Sequence, residues 1–338
     1  MLMLENVSLK SFNTFGVEAS TKWFCQIKSV DDLRSVIDDK RFTSDNRLLL
    51  GGGSNVLFTR NWNGLVAKIE LLGREVVKED ANFVWVKAGA GENWHQFVLW
   101  CLERNLAGLE NLSLIPGNVG ASPMQNIGAY GIEIKDTFES LEAVELSTGN
   151  LLIFNSKDCE FGYRESVFKR KYKNQFAITS VTYRLNKIPA VNTAYGAIEQ
   201  ELERMQIREL SIQAVSKAVI NIRQSKLPDP KVLGNAGSFF KNPTISAAQF
   251  SELQKAFPDI PNYPAPNNQI KLAAGWLIEQ CGWKGKRMGN CGMHEKQALV
   301  LVNYGSATGQ EIYDHSTRVL EAVQQKFGVE LEREVNII

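Results

Sequence analysis

Ile115-Pro116-Gly117-Asn118-Val119-Gly120-Ala121-Ser122-Pro123-Met124-Gln125-Asn126-Ile127-Gly128-Ala129-Tyr130-Gly131 holds four glycines and two prolines and no charged side chain. Glycine removes the Cβ that would keep main-chain N–H groups away from a ligand, and proline fixes the turns that hold those groups still. The segment therefore predicts a binding loop. Upstream, Gly51-Gly52-Gly53-Ser54-Asn55 has the same character and follows the apolar Leu48-Leu49-Leu50. Two such loops predict a large phosphate-bearing cofactor. The triplet is either a nest of N–H donors for a pyrophosphate, with Ser54 adding a hydroxyl, or a flexible turn between strands. No G-x-G-x-x-G follows a strand, Gly89-Ala90-Gly91-Glu92-Asn93-Trp94 lacks the third glycine, and neither loop is followed by a Walker lysine. Such a dinucleotide would be held without a Rossmann unit.

Around these loops the chain reads as α+β. Residues 48–50 predict a strand entering the first loop, and 83–88 a second strand ending at Gly89. Trp94, Phe97, Val98, Cys101 and Leu102 recur on one helical face within 92–105, and Ser29 caps a helix carrying Val30, Leu33, Val36 and Ile37. Residues 141–146, 151–154 and 176–185 predict an antiparallel sheet with a hairpin turn at 147–150. A helix with Ile212, Val215, Val219 and Ile222 on one face stops at Leu227-Pro228-Asp229-Pro230. Beyond it, helices are expected at 247–257 and 270–280, a strand at 298–303, a long helix through Ile312, Val319, Leu320, Val323 and Phe327, and a terminal strand over 329–338.

With 338 residues, 44% of them hydrophobic, the chain has material for more than one core. Its 38 basic and 37 acidic residues give a net charge of +1, so no global field attracts nucleic acid or an anionic membrane. The five cysteines are scattered and contain no C-x-x-C pair, which argues against a disulfide framework or a zinc site and for a reducing cytoplasm. No apolar run approaches a membrane span, and no heptad pattern signals assembly, so a cytoplasmic monomer is expected.

Taken in order, GGGSN, IPGNVGASPMQNIGAYG, GYRESVFK, GSFFKNP and LEREV resemble the motifs of the UDP-N-acetylenolpyruvoylglucosamine reductase (MurB) family across nearly the whole chain. Thr193-Ala194-Tyr195-Gly196 is similar to the loop of its type I members. The resemblance implies a noncovalent FAD in a two-part binding domain of the vanillyl-alcohol-oxidase (PCMH) type, expected over 1–188 and split near 70. A separate α+β substrate-binding domain is expected over 189–338, with its last strand able to return to the first domain. It also implies NADPH as co-substrate and UDP-N-acetylglucosamine enolpyruvate as substrate, whose enolpyruvyl ether is reduced to a lactyl ether. No metal is implied. No histidine lies in either glycine loop, where many oxidases of this cofactor fold carry one for covalent attachment of the flavin.

Carried over by motif, the implied FAD contacts are Gly51, Gly52, Gly53, Ser54, Asn55, Pro116, Gly117, Asn118, Gly120, Ala121 and Gly128, with a further contribution near 13–17. Ser238 matches the proton donor, although a serine before two core aromatics could equally cap or turn. Arg164 matches the catalytic arginine, whose planar fork pairs with a carboxylate more strongly as charge builds there. Glu334 matches the essential glutamate, acting either protonated toward the same oxygens or ionised toward Arg164. Tyr195 and Lys226 match the diphosphate grip, Asn242 the uridine end, and Tyr130 and Gln297 the pocket lining. Each has a plain structural alternative: loop packing for Tyr195, a helix C-terminal charge for Lys226, a strand cap for Gln297. Arg333 and Asn336 stand where the family commonly has proline and arginine.

Overall fold

Ser29 starts the first helix, Val30–Ile37, with a reciprocal capping box: its side chain accepts from the Asp32 N–H and Asp32 accepts from the Ser29 N–H. Leu33 and Val36 are buried beneath it. The computed structural model describes residues 1–338, and the chain divides into two packed units, neither of them continuous in sequence. The first comprises residues 1–7, 21–52 and 63–225; the second comprises 8–20, 53–62 and 226–338.

The first unit is built on two sheets. Met3–Ser8, Ser20–Ile27, Trp62–Ile69 and Arg47–Leu50 lie side by side in that order, the last two parallel with Leu50 opposite Lys68. The second sheet has five strands, ordered Leu151–Asn155, Phe138–Glu145, Phe176–Asn186, Phe83–Gly89 and Arg74–Glu79, every pairing antiparallel. The long central strand buries residues of both parities, including Ala177, Ile178, Val181, Tyr183 and Leu185, as a strand covered on both faces must. Helix Trp94–Leu102 buries Trp94, Phe97, Val98 and Cys101 into the same core, and Tyr183 stacks edge-on to Trp94. Residues 189–225 pack with this unit. The reason is the helix Ile212–Lys226: Gln213 donates to the Leu102 carbonyl, Ser216 pairs with buried Ser113, and Ile212 enters the first core.

The second unit centres on the nineteen-residue helix Gly309–Phe327, capped by Thr308 and closed by Gly328 at φ 64°. It contributes Ile312, Val319, Val323 and Phe327 to a core shared with Phe239, Phe240, Leu277 and Leu301. The strands Gly234–Ser238, Val300–Asn303, Cys291–Met293 and Arg287–Met288 form its main sheet.

Two expected elements differ. Residues 270–280 are not one helix: Gln269–Leu272 is a strand paired with Asn262–Ala265, and the helix is Ala274–Gln280. Asn267 and Asn268 both sit at positive φ, 58° and 55°, and turn the chain back into a hairpin that apolar periodicity does not register. The terminal strand is shorter than 329–338, being only Asn336–Ile337, parallel to Val56–Leu57 of the same unit.

Candidate active site

Residues 115–131 are stitched onto the turn that joins strand Phe83–Gly89 to helix Trp94–Leu102. Val119 donates to the Glu92 carbonyl (2.8 Å), Gly120 to Ala90 (3.0 Å), Trp94 to Gly117 (3.0 Å), and Asn118 Nδ2 to Gly91 (2.7 Å). A Cβ on Gly120 would stand 2.5 Å from that of Ala90, so this glycine serves packing as well as any ligand. Within the same unit the first glycine loop comes close. A Cβ on Gly52 would lie 2.6 Å from Asn118 Oδ1 and 3.0 Å from Gly117 Cα. Gly51 by contrast faces open space, with nothing within 4 Å of a Cβ. The main-chain N–H groups of Gly52, Gly117 and Asn118 donate to no main-chain carbonyl, leaving three donors at a charge-free glycine contact. Such a donor set fits an anionic, phosphate-bearing group. Pro116 and Ala121 are exposed on the same loop.

At the far end of the loop, Tyr130 takes φ 51° and packs edge-on to Tyr195, ring centroids 5.3 Å apart. Tyr195 is half exposed at the start of helix Gly196–Arg204. Asn111, almost fully buried, donates to the carbonyls of both Tyr130 (3.0 Å) and Asn192 (2.9 Å), tying the two loops together. Arg164 also stands at positive φ, 53°, and its guanidinium donates to the Gly128 carbonyl at 2.7 Å. These residues thus converge in the first unit.

Arg223, which motif reading did not single out, belongs to this group. Its Nε donates to the Leu114 carbonyl (3.3 Å), and its positive charge opposes the effect of burial on the Tyr130 phenol. Burial lowers its pKa, and Arg164 lowers it further; burial likewise raises that of Tyr130. His95 accepts from the Leu114 N–H at 3.0 Å, and burial followed by Arg223 holds its pKa below the usual value. Helical arithmetic marks Arg223: it falls four residues after Val219, on the flank of the buried face.

In the second unit, Ser238 ends its strand and is exposed. Phe239 and Phe240 after it are fully buried. The Glu334 N–H donates to the Phe239 carbonyl (2.8 Å), and the Lys241 N–H donates to the Glu332 carbonyl (2.9 Å), pairing 239–241 with 332–334. Asn55 Nδ2 donates to the Glu334 carbonyl (3.3 Å), while the Asn55 carbonyl accepts from both the main-chain N–H and Nδ2 of Asn336. Asn55 therefore ties down the C-terminal segment. Gly53, at φ 65°, has the Phe12 carbonyl 1.9 Å from where a Cβ would be, and Ser54 adjoins it.

The remaining expected residues lie at or against the ends of elements. Lys226 is the last residue of its helix, Asn242 Oδ1 accepts from Ala274 N–H at the start of the next helix (3.0 Å), and Gln297 Oε1 accepts from the Leu299 N–H (3.4 Å) before strand Val300–Asn303.

Residues 21–155 match the family model of an FAD binding domain, and residues 229–338 match the model of the UDP-N-acetylenolpyruvoylglucosamine reductase C-terminal domain. With the α+β fold and the glycine-lined donor set, this defines an FAD-binding protein. The chain is 52% identical over 100% of both sequences to the UDP-N-acetylenolpyruvoylglucosamine reductase of Flavobacterium johnsoniae, and 49% identical, again over 100% of both, to that of Amoebophilus asiaticus. It belongs to the UDP-N-acetylenolpyruvoylglucosamine reductase (MurB) family. The crystal structure of the Thermus caldophilus member superimposes with a TM-score of 0.67 over 99% of each chain at 22% identity, a likeness of fold.

Proposed function

We propose that the protein reduces UDP-N-acetylglucosamine enolpyruvate to UDP-N-acetylmuramate for peptidoglycan synthesis, with FAD bound noncovalently and NADPH as electron donor. The observation that carries this reading is the 52% identity with a reductase of that name over the full length of both chains. Bound FAD supplies hydride transfer. Gly51, Gly52, Pro116, Gly117, Asn118, Gly120, Ala121 and Gly128, with Gly53, Ser54 and Asn55 continuing the first loop, hold that cofactor. The three unused N–H groups at Gly52, Gly117 and Asn118 support this assignment.

The remaining work falls to side chains of this protein. Reduction at the vinyl carbon loads negative charge onto the neighbouring carbon and its carboxylate. Arg164 stabilises that carboxylate, and Glu334 binds beside it. Ser238 delivers a proton to the carbon; it is exposed at the end of its strand, which supports that role. Tyr195 and Lys226 hold the diphosphate, Asn242 the uridine end, and Tyr130 and Gln297 line the pocket. Asn242 keeps its amide donors for this purpose, since only its Oδ1 is spent on Ala274. We further assign the protein to the cytoplasm, a reading supported by five cysteines that are all free, and take it to be a monomer.

Stopped-flow absorbance of the purified protein tests the whole reading. NADPH should bleach the flavin band, and UDP-N-acetylglucosamine enolpyruvate should restore it within the turnover time. A colourless protein, or a reduced flavin that the substrate leaves bleached, rejects it.

A further inference from the structure

Arg333 stands next to Glu334 in the chain but works on the opposite side of the segment. Its Nε donates to Ser316 Oγ (2.8 Å), a terminal nitrogen donates to Thr317 Oγ1 (2.6 Å), and the guanidinium lies 4.4 Å from the centroid of the Tyr313 ring. Both hydroxyls are themselves oriented, each donating to the Tyr313 carbonyl and so presenting a lone pair to the arginine. One fork thus grips one turn of the long helix Gly309–Phe327 through neutral oxygens and an aromatic face. Two residues later, Asn336 is fastened to Asn55 through main chain and side chain, and between them Val335 is buried. Glu334 is therefore held on both sides, with its own N–H on Phe239, the neighbour of Ser238.

We propose that Arg333 is a positioning residue for the reaction: by locking the segment to the helix it fixes the reach of the Glu334 carboxyl group relative to Ser238. The inference rests on the reductase reading above. The ladder also leaves room for a different side chain here. Arg333 and Phe240 form the non-hydrogen-bonded pair of an antiparallel bridge, flanked by the Glu334–Phe239 and Lys241–Glu332 bonds, so the ladder does not use the Arg333 N–H. Proline, which lacks that N–H and restricts the chain by its ring, stiffens the same position by another route.

The test compares wild type, Arg333→Ala, Arg333→Pro and the helix-side double variant Ser316→Ala/Thr317→Val in both half-reactions, with flavin content and thermal midpoint measured on each. Arg333→Ala should slow reoxidation of the flavin by UDP-N-acetylglucosamine enolpyruvate at saturation by about tenfold or more, with the substrate KM and the rate of reduction by NADPH unchanged. Ser316→Ala/Thr317→Val should reproduce the loss, adding nothing when combined with Arg333→Ala, and Arg333→Pro should recover most of the rate. Equal losses in both half-reactions, a helix-side variant that behaves as wild type, or an alanine variant that folds with full flavin and turns over normally would overturn the proposal. A wild-type protein that does not reoxidise with this substrate would overturn the reductase reading itself, and the inference with it.

Discussion

The main-chain N–H of Glu334 donates to the carbonyl of Phe239 at 2.8 Å, so the C-terminal glutamate is hydrogen-bonded to the residue that follows Ser238. Almost a hundred residues of sequence separate the two candidate groups, and one short antiparallel pairing brings their backbones together. Two candidate groups set by the same pairing should behave as a pair. Ser238→Ala is expected to leave flavin reduction by NADPH intact and to slow the substrate half-reaction by about 10²–10⁴-fold, the usual span for losing a positioned proton donor. Glu334→Gln should hurt that half-reaction, and the double variant should lose less than the product of the single losses. Rapid-reaction absorbance separates the steps; equal damage to both half-reactions would mark Ser238 as structural.

Arg164 spends part of its fork on the Gly128 carbonyl at 2.7 Å from a backbone at φ 53°. Lysine would keep the charge and lose the planar geometry that serves a carbonyl and a carboxylate at once. Arg164→Lys should therefore slow the substrate half-reaction by about 10²-fold, comparable to removing one preorganised donor. Retention of the full rate would remove Arg164 from the mechanism.

The two neighbouring glycines of the first loop should separate stability from cofactor affinity. A Cβ at Gly52 runs into Asn118 Oδ1 and the Gly117 backbone, whereas at Gly51 it meets no protein atom. Gly52→Ala is expected to lower both the melting temperature of the flavin-free protein and its FAD affinity. Gly51→Ala should leave the flavin-free melting temperature within a degree or two of wild type and weaken FAD binding alone. Calorimetry of the flavin-free form and fluorescence titration with FAD read the two quantities separately. A Gly51→Ala protein that binds FAD as tightly as wild type would place the cofactor away from this loop.

Local chemistry made much of this legible before the fold was seen. The Ser29 cap, the face of Trp94, Phe97 and Cys101, and the hairpin near Gly149 all follow from short-range pattern, and each appears where expected. Charge-free glycine loops likewise announced a donor-rich site. The 270–280 segment failed because its apolar spacing suits a helix while the decisive event is the left-handed Asn267-Asn268 turn just before it. Asn111 and the anchors of Glu334 were hidden for another reason. Their significance lies in what they touch across 80 to 280 residues of sequence, as in Asn111 to Asn192 or Asn336 to Asn55, and no local period encodes such contacts.

His315 gives a prediction about pH that lies outside the chemistry. It is 2% exposed on the long helix, edge-on to Trp283 at 5.1 Å, and neither ring nitrogen has a hydrogen-bond partner. Burial first, then the positive charges of Arg318 and Lys286, pull its pKa down to about 4, against 6.5 for a free imidazole. Above pH 6.5 the ring is neutral in folded and unfolded chains alike and favours neither. As pH falls below that value the unfolded chain takes up a proton that the folded chain refuses until about pH 4, so stability drains away across this window, by about 3 kcal/mol in all for this one group. His315→Phe keeps the aromatic contact and removes both unbonded nitrogens. Its denaturant midpoint should equal or exceed that of wild type at pH 7.5, and the advantage should widen steadily toward pH 4.5. A difference between the two proteins that stays constant over that range would mean that His315 is already protonated, or already hydrated, in the folded state.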